Sequence, residues 1–309
     1  MSDILNRRQF LRAGVLAGAS LALPSDLLAA TKKSVLVFTK SSGFEHEVVK
    51  TTGGKPSILE NAVAMLGAKH GFDVTPTKDG RVFDSTDFRK HTAVLFFTTG
   101  DLTSEGTDKN PAMSPQGKQS LLAAIQGGLG FVGVHAASDT FHTKPDTQDN
   151  RYIAHGDHSD PYIRMLGGEF IAHGSTPRLQ TTNIIINDPK FPGLEGVSSP
   201  VRFTEEWYSL KDFRADLHVI LTLDTKGMTG EPYQRAPYPM TWARMEGEGR
   251  VFYTAIGDRP ENWSSPFFLN LLAGGIRWAT GDAEASLDQN LMQAAPGYAE
   301  IPPKPQKKP

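Results

Sequence analysis

Three histidines stand at the ends of apolar runs, where imidazole chemistry would be useful. His135 closes Phe131-Val132-Gly133-Val134, between the glycine-rich turn Gly127-Gly128-Leu129-Gly130 and the small-residue stretch Ala136-Ala137-Ser138-Asp139. A short run of this kind reads as a fully buried strand of a parallel sheet. His46 follows the β-rich run Ser34 to Thr39, and His173 ends Glu169-Phe170-Ile171-Ala172. In open α/β sheets, ligands bind in the crevice beyond the carboxyl ends of the strands, so these imidazoles are placed to converge there. The acidic pair Glu205-Glu206, followed by Trp207-Tyr208, adds carboxylates. Imidazole and carboxylate together move protons near neutral pH. Three imidazoles with an acid also form an accepted zinc set, whose open position would generate a nucleophile from water. On this reading a divalent metal such as zinc rests on His46, His135, His173 and a carboxylate. A lone histidine can equally be a core residue with both ring nitrogens hydrogen-bonded, so convergence is what separates function from packing. His155 and His158 lie three apart in a polar loop, a spacing compatible with a metal pair and also common by chance.

Composition removes other chemistries. No cysteine occurs in the 309 residues, which excludes disulfides, thiolate metal sites and a cysteine nucleophile. The formal charge of -2 carries none of the basic footprint that phosphate binding leaves, so nucleic acid is not an expected partner.

The elements that would position these groups can be read in order. Residues 1–30 read as a twin-arginine export signal: Arg7-Arg8 precede a moderately apolar stretch, Ala13 to Leu23, and a small-residue exit at Leu28-Ala29-Ala30. That stretch is too short and too rich in Ala and Gly for a membrane span. The twin-arginine machinery is thus an expected partner, and the mature protein is expected in the periplasm or outside the cell, without a membrane span. Strands are predicted over 34–39, 72–75, 94–99 and 131–134. Helices are predicted from Pro56 to Gly71 and from Ser114 through Ile125, and a short helix start over 84–88. Alternation of this kind gives a doubly wound parallel sheet with helices on both faces. After Thr140 the chain becomes loop-rich and then strand-rich. Strands across the Gly247-Glu248-Gly249 turn (239–244 and 250–256) read as a pair, and Pro266 to Ala279 as a closing helix. His218 reads as structural. The main domain spans 31–281; residues 282–309 form a Pro/Lys-rich tail expected to be loose.

Five segments in order resemble the trehalose-utilisation (ThuA-like) family: Gly43-Phe44-Glu45-His46; Gly128 to Asp139; Leu166-Gly167-Gly168-Glu169-Phe170 with His173; Glu205-Glu206-Trp207-Tyr208; and Gly249 to Gly257. The likeness covers roughly residues 33–281. It implies a fold similar to class I glutamine amidotransferases: α/β, flavodoxin-like, doubly wound and mostly parallel, with a strand-rich C-terminal part. Those enzymes carry a cysteine after the central strand. Here His135 holds the comparable place, so amide hydrolysis through a thioester is excluded and the fold does not supply the chemistry. Members of the family often carry Gly-His where this chain has Gly257-Asp258; Asp258 must then substitute as a carboxylate, or the role is missing.

The resemblance implies a link to disaccharide or keto-sugar metabolism, hence a small-molecule carbohydrate partner. The expectation is a sugar-active enzyme whose crevice gathers His46, His135, His173 and Glu206, with Asp139 and Asp258 as candidates. Glu206 or His135 would be the base and Asp139 would orient His135. Asp258 would contact substrate, and Trp207, Tyr208 and Trp263 would stack on the sugar or else simply pack. The alternative is a periplasmic carbohydrate-binding or accessory protein without turnover.

Overall fold

A computed structural model describes Lys32 to Pro305. The twin-arginine segment and residues 306–309 lie outside the described residues. The first half of the chain runs β1 (Ser34–Phe38), α1 (Ile58–His70), β2 (Asp73–Thr77), β3 (Ala93–Phe96), α2 (Pro115–Gln126), β4 (Gly130–Val134) and α3 (Pro161–Leu166). The second half runs β5 (Glu169–His173), β6 (Gln180–Ile186), β7 (Val201–Glu205), β8 (Tyr208–Lys211), β9 (His218–Leu223), β10 (Tyr238–Glu246), β11 (Gly249–Thr254), α4 (Pro266–Ala279) and α5 (Leu291–Ala294).

Nine strands make one mixed sheet in the order β2-β1-β3-β4-β11-β10-β9-β6-β7. From β2 to β11 every pairing is parallel. These five strands have the doubly wound order of flavodoxin, in which the chain changes direction across the sheet between β1 and β3. Strands β1, β3 and β4 are almost wholly buried, because helices cover both sides: α1 packs with α4, and α2 with α3. The helices begin as their sequences prescribe. Ser57 and Glu60 form a reciprocal capping box on α1, and Ser114 caps α2 ahead of Pro115. The remaining pairings are antiparallel, which is the strand-rich part; β10 and β11 pair across the Gly247 turn, with Glu246 opposite Gly249.

Three local differences from the sequence reading have physical causes. β3 stops at Phe96, and Thr99 instead bridges to Ser41, opening the strand end into a loop. Between β2 and β3 the chain forms two 3-10 turns, Gly80–Asp84 and Asp87–Lys90, instead of one helix start. The tail is anchored through the described part: Leu291 and Ala295 are buried, and the Asn290 side chain bonds both the amide and the carbonyl of Val219. The Tyr298 carbonyl accepts from Arg235. A few well-placed apolar and amide side chains outweigh a Pro/Lys-rich composition.

His218 is held between the Asp188 carboxylate and the Asp288 carbonyl. A separate two-stranded sheet, β5 with β8, sets His173 opposite Tyr208.

Candidate functional site

Four loops meet beyond the carboxyl ends of the parallel strands. The one after β1 is pinned where Gly43 N donates to Thr99 O and Thr99 Oγ1 donates to Phe44 O, at 3.2 and 2.9 Å, and it carries His46. His135 is the first residue after β4 and has φ of +42°, a conformation that costs energy for a side chain with a Cβ and tends to persist at functional positions. Its carbonyl accepts from Tyr253 Oη at 2.8 Å and from Ser138 Oγ at 3.2 Å, which clamps the turn. Asp258 follows Gly257, whose φ is +142° and where a Cβ would come within 2.9 Å of Val134. Glu206 sits in the break between β7 and β8. The neighbouring Glu205 carboxylate accepts from the amides of Glu206 and Gly257 and from Asn262 Nδ2, at 2.8, 2.9 and 2.8 Å. Glu205 therefore ties the segment holding Glu206 to the one holding Asp258.

His46, His135, Glu206 and Asp258 are all buried, and one ligand atom from each lies within 4.8 Å of the others. His135 Nε2 is 3.7 Å from Glu206 Oε2, and His46 Nε2 is 3.9 Å from Asp258 Oδ1. A four-coordinate zinc ion, with bonds of roughly 2.0–2.2 Å, spaces its ligand atoms about 3.4 Å apart, so these two pairs stand a few tenths of an ångström wide of that spacing and the set as a whole, spread over up to 4.8 Å, would have to draw in further. The outer ring nitrogen of His135 is prepared for a ligand. His135 Nδ1 lies 2.7 Å from the Ala255 carbonyl, which can only accept. Nδ1 therefore carries a proton, and Nε2 is the nitrogen that exchanges a proton or a ligand, the arrangement typical of metal-binding histidines. Among the described residues, His135 Nε2 has no hydrogen-bond partner; a buried polar atom left so costs about 1–3 kcal/mol. On His46 the nitrogen toward Asp258 is Nε2, which the Tyr208 hydroxyl meets at 3.3 Å, and the unpartnered one is Nδ1.

The electrostatics prepare His46 and Glu206 as ligands, while they favour the protonated forms of His135 and Asp258. Burial, reinforced by His135, pushes His46 down to about 3, so its ring is neutral. Burial would raise Glu206, yet His135 and Arg178 bring it to about 2, leaving an ionised carboxylate of low basicity. Burial also opposes charge on His135, but Glu206, Glu205 and Asp258 around it raise its pKa. Asp258 is raised, by burial first.

The other expected residues are distributed differently. His173 is near the four but not among them. Its Nδ1 lies 2.9 Å from the Gly174 carbonyl and 3.2 Å from Glu206 Oε1, so it braces Glu206 from the rim, and Asp258 takes the place expected for a third imidazole. Asp139 does not orient His135, because the Ala255 carbonyl occupies that ring position. Instead Asp139 Oδ1 accepts from His142 Nε2 at 2.6 Å and from Arg151 at 3.3 Å. Trp207 and Trp263 do not face the crevice. Both are buried with their indole N–H groups bonded to the carbonyls of Gln180 and Gly257, which is packing. Tyr208 does reach the site: its ring centroid is 4.0 Å from that of His135, and its hydroxyl is 3.3 Å from His46 Nε2.

Two residues that sequence reasoning missed define the opening. Phe44 is 62% exposed, edge-on to His46, and its signal was its place in Gly43-Phe44-Glu45-His46. Arg178, in the connection between β5 and β6, donates from Nε to Glu206 and from its terminal nitrogen to Asp258 at 3.0 Å. Nothing in its polar surroundings marks it. Both residues line two adjoining cavities, one of about 390 Å³ over His46, Glu206, Tyr208 and Asp139, the other of about 640 Å³ toward Glu47, Lys50 and Glu261.

A second group with ligand spacing, His155, Glu169 and Asp212, is filled by the protein itself. The buried Lys211 ammonium donates to all three at 2.9 Å. His158 is not in this group, and both ring nitrogens of His155 are engaged, by Lys211 and Asn150, which leaves none for a metal pair.

The model of the family described as trehalose utilisation matches residues 34–279. A ThuA-like protein of Bacteroides uniformis superposes with a TM-score of 0.59 at 17% identity, over 83% of this chain and 94% of that one. A ThuA-like protein of Parabacteroides merdae gives 0.53 at 15% identity, over 89% and 98%. These likenesses speak to the fold. No curated protein matches the sequence. With no cysteine in the chain, a glutaminase acting through a cysteine nucleophile is excluded. The matched family model spans most of the chain and agrees with the topology and the five sequence segments, so the protein belongs to the trehalose-utilisation (ThuA-like) family.

Proposed function

We propose that this protein is a sugar-directed enzyme whose crevice binds a divalent cation on His46, His135, Glu206 and Asp258. The observation that carries the reading is the buried His135 Nε2, unpartnered and 3.7 Å from Glu206. Imidazole with carboxylate suits zinc or another borderline divalent ion; when bound, such an ion polarises a carbonyl or hydroxyl oxygen.

The chain's own residues supply the rest. Glu206, ionised and weakly basic, suits a ligand better than a general base. The carboxylate left for proton transfer is Asp139, which lines the same cavity and is braced by His142 and Arg151 through one oxygen only. In a keto-sugar it would take the proton next to the carbonyl. The face for stacking passes from the buried tryptophans to Phe44, whose exposed ring stands at the mouth. The adjoining polar cavity leaves room for the second ring of a disaccharide. Export through residues 1–30 places this activity in the periplasm or outside the cell, on a main domain of residues 31–281.

The test is metal content of protein matured through its own export route, followed by mixing with trehalose and 3-keto-disaccharides with and without chelator. Expected are bound divalent metal and consumption that chelator, or Asp139→Asn, abolishes. Saturable sugar binding without product and indifferent to chelator would replace this reading with a carbohydrate-binding accessory protein.

A further inference from the structure

We propose that Arg178 is a built-in counter-ion, holding the two carboxylates of the crevice in the place of a divalent cation and released when one binds. The inference rests on the reading of the four buried residues as a cation site.

Three observations carry it. First, Arg178 bonds the two acids of the quartet, Glu206 and Asp258, and among the described residues its side chain makes no other hydrogen bond. Second, its side chain is 47% exposed, whereas those of Glu206 and Asp258 are 2% and 10% exposed. The guanidinium reaches in from solvent and can return there, while the carboxylates cannot leave. Third, arginines with a packing role in this molecule look different. Arg235 is buried and donates to Ser209 and to the carbonyls of Leu210 and Tyr298. Arg244, also buried, holds the Met165 carbonyl as well as Asp216 and Glu246. Main-chain carbonyls lock those two in place; nothing of the kind holds Arg178.

The charge logic is direct. Two acids buried side by side require positive charge nearby, and a planar guanidinium meets two carboxylates well without demanding the ligand geometry of an ion. A cation entering the quartet supplies that charge from within, and Arg178 then becomes redundant. Because Arg178 lines both cavities, the freed guanidinium would lie between them, in reach of substrate oxygens.

The test is calorimetric titration of the full chain with Zn2+ alone, comparing wild type with Arg178→Gln. Removing the competitor should tighten Zn2+ binding about tenfold, with Arg178→Lys between the two. Equal or weaker binding by a variant with an unchanged melting temperature overturns the proposal and makes Arg178 a builder of the site. Binding by the variant but not by wild type supports it; binding by neither removes the cation site itself. A second measurement uses wild type only: Zn2+ should speed phenylglyoxal modification of Arg178, mapped by peptide mass. An unchanged or slower rate with bound zinc overturns the proposal even if the variant does not fold.

Discussion

Two buried clusters in this protein offer the same ligand types at similar spacing and differ in one respect. In the crevice, His46, His135, Glu206 and Asp258 lie together, with His135 Nε2 unpartnered 3.7 Å from Glu206. Behind it, His155, Glu169 and Asp212 surround the ammonium of Lys211, and their polar atoms are bonded. The lesson is that proximity of imidazole and carboxylate does not mark a site; strained backbone and an open ring nitrogen within the same cluster separate the two. Native interiors pair nearly all their buried polar groups, so a cluster that both keeps strained backbone at His135 and leaves its Nε2 open is one that folding alone did not shape.

The sharpest way to break this comparison is Lys211→Met. It strands Glu169 and Asp212 as buried acids without their cation, and should cost about 3–5 kcal/mol in urea denaturation. Affinity for Zn2+ in the crevice should stay within about twofold. Affinity falling in step with stability would mean that the two clusters act as one.

Acid comes next. Burial opposes ionisation of Glu169, but His142 and Lys211 hold it down to about 2, against 4.5 when free. A depressed carboxylate contributes stability that is full above its unfolded value and is lost as pH falls from about 4.5 toward 2, here on the order of 3 kcal/mol. His142 works in the opposite direction: raised by Asp139 and Glu169 against burial, it contributes below about 6.5 and loses that contribution as pH rises through its folded value. Urea midpoints measured from pH 6 down to pH 3 should fall, and Glu169→Gln should flatten the fall. Slightly smaller is the effect of the cation itself. Zinc at about 100 times its dissociation constant should stabilise wild type by about 2.7 kcal/mol, read as a raised melting temperature, and His135→Ala should abolish that gain.

Legibility in the sequence followed the distance over which each feature is encoded. His46 and His135 could be found because the end of an apolar run is a local property, and the wound sheet converts strand ends into neighbours. Glu206 was visible as half of an acidic pair, though which half faces the crevice was not, since Glu205 differs only by the direction its strand gives it. Asp258 was noticed as a departure from the family pattern. The bond between Asp139 and His142, by contrast, depends on how the turn after β4 closes, and the bracing of Glu206 by His173 depends on β5 meeting β8 in a separate small sheet. Aromatic content could not tell the buried indoles of Trp207 and Trp263 from the exposed ring of Phe44. Arg178 comes from a loop whose composition carries no signal at all.

The smallest effect offers the finest test of what satisfaction means. The Lys211 ammonium has three protons, yet four acceptors lie 2.9 Å away: the Ile153 carbonyl, His155 Nδ1, Glu169 and Asp212. One bond must therefore be shared. His155 is the replaceable partner: its Nε2 donates to Asn150 Oδ1 at 3.1 Å, so its Nδ1 is a neutral acceptor beside two carboxylates. In His155→Gln the ammonium can turn its protons to the remaining three, and the loss should be about 0.5–1 kcal/mol, with zinc-induced stabilisation in the crevice intact. A loss as large as that of Lys211→Met would show that the rear cluster has no acceptor to spare, and the contrast between a saturated cluster and an open one would then be a matter of degree.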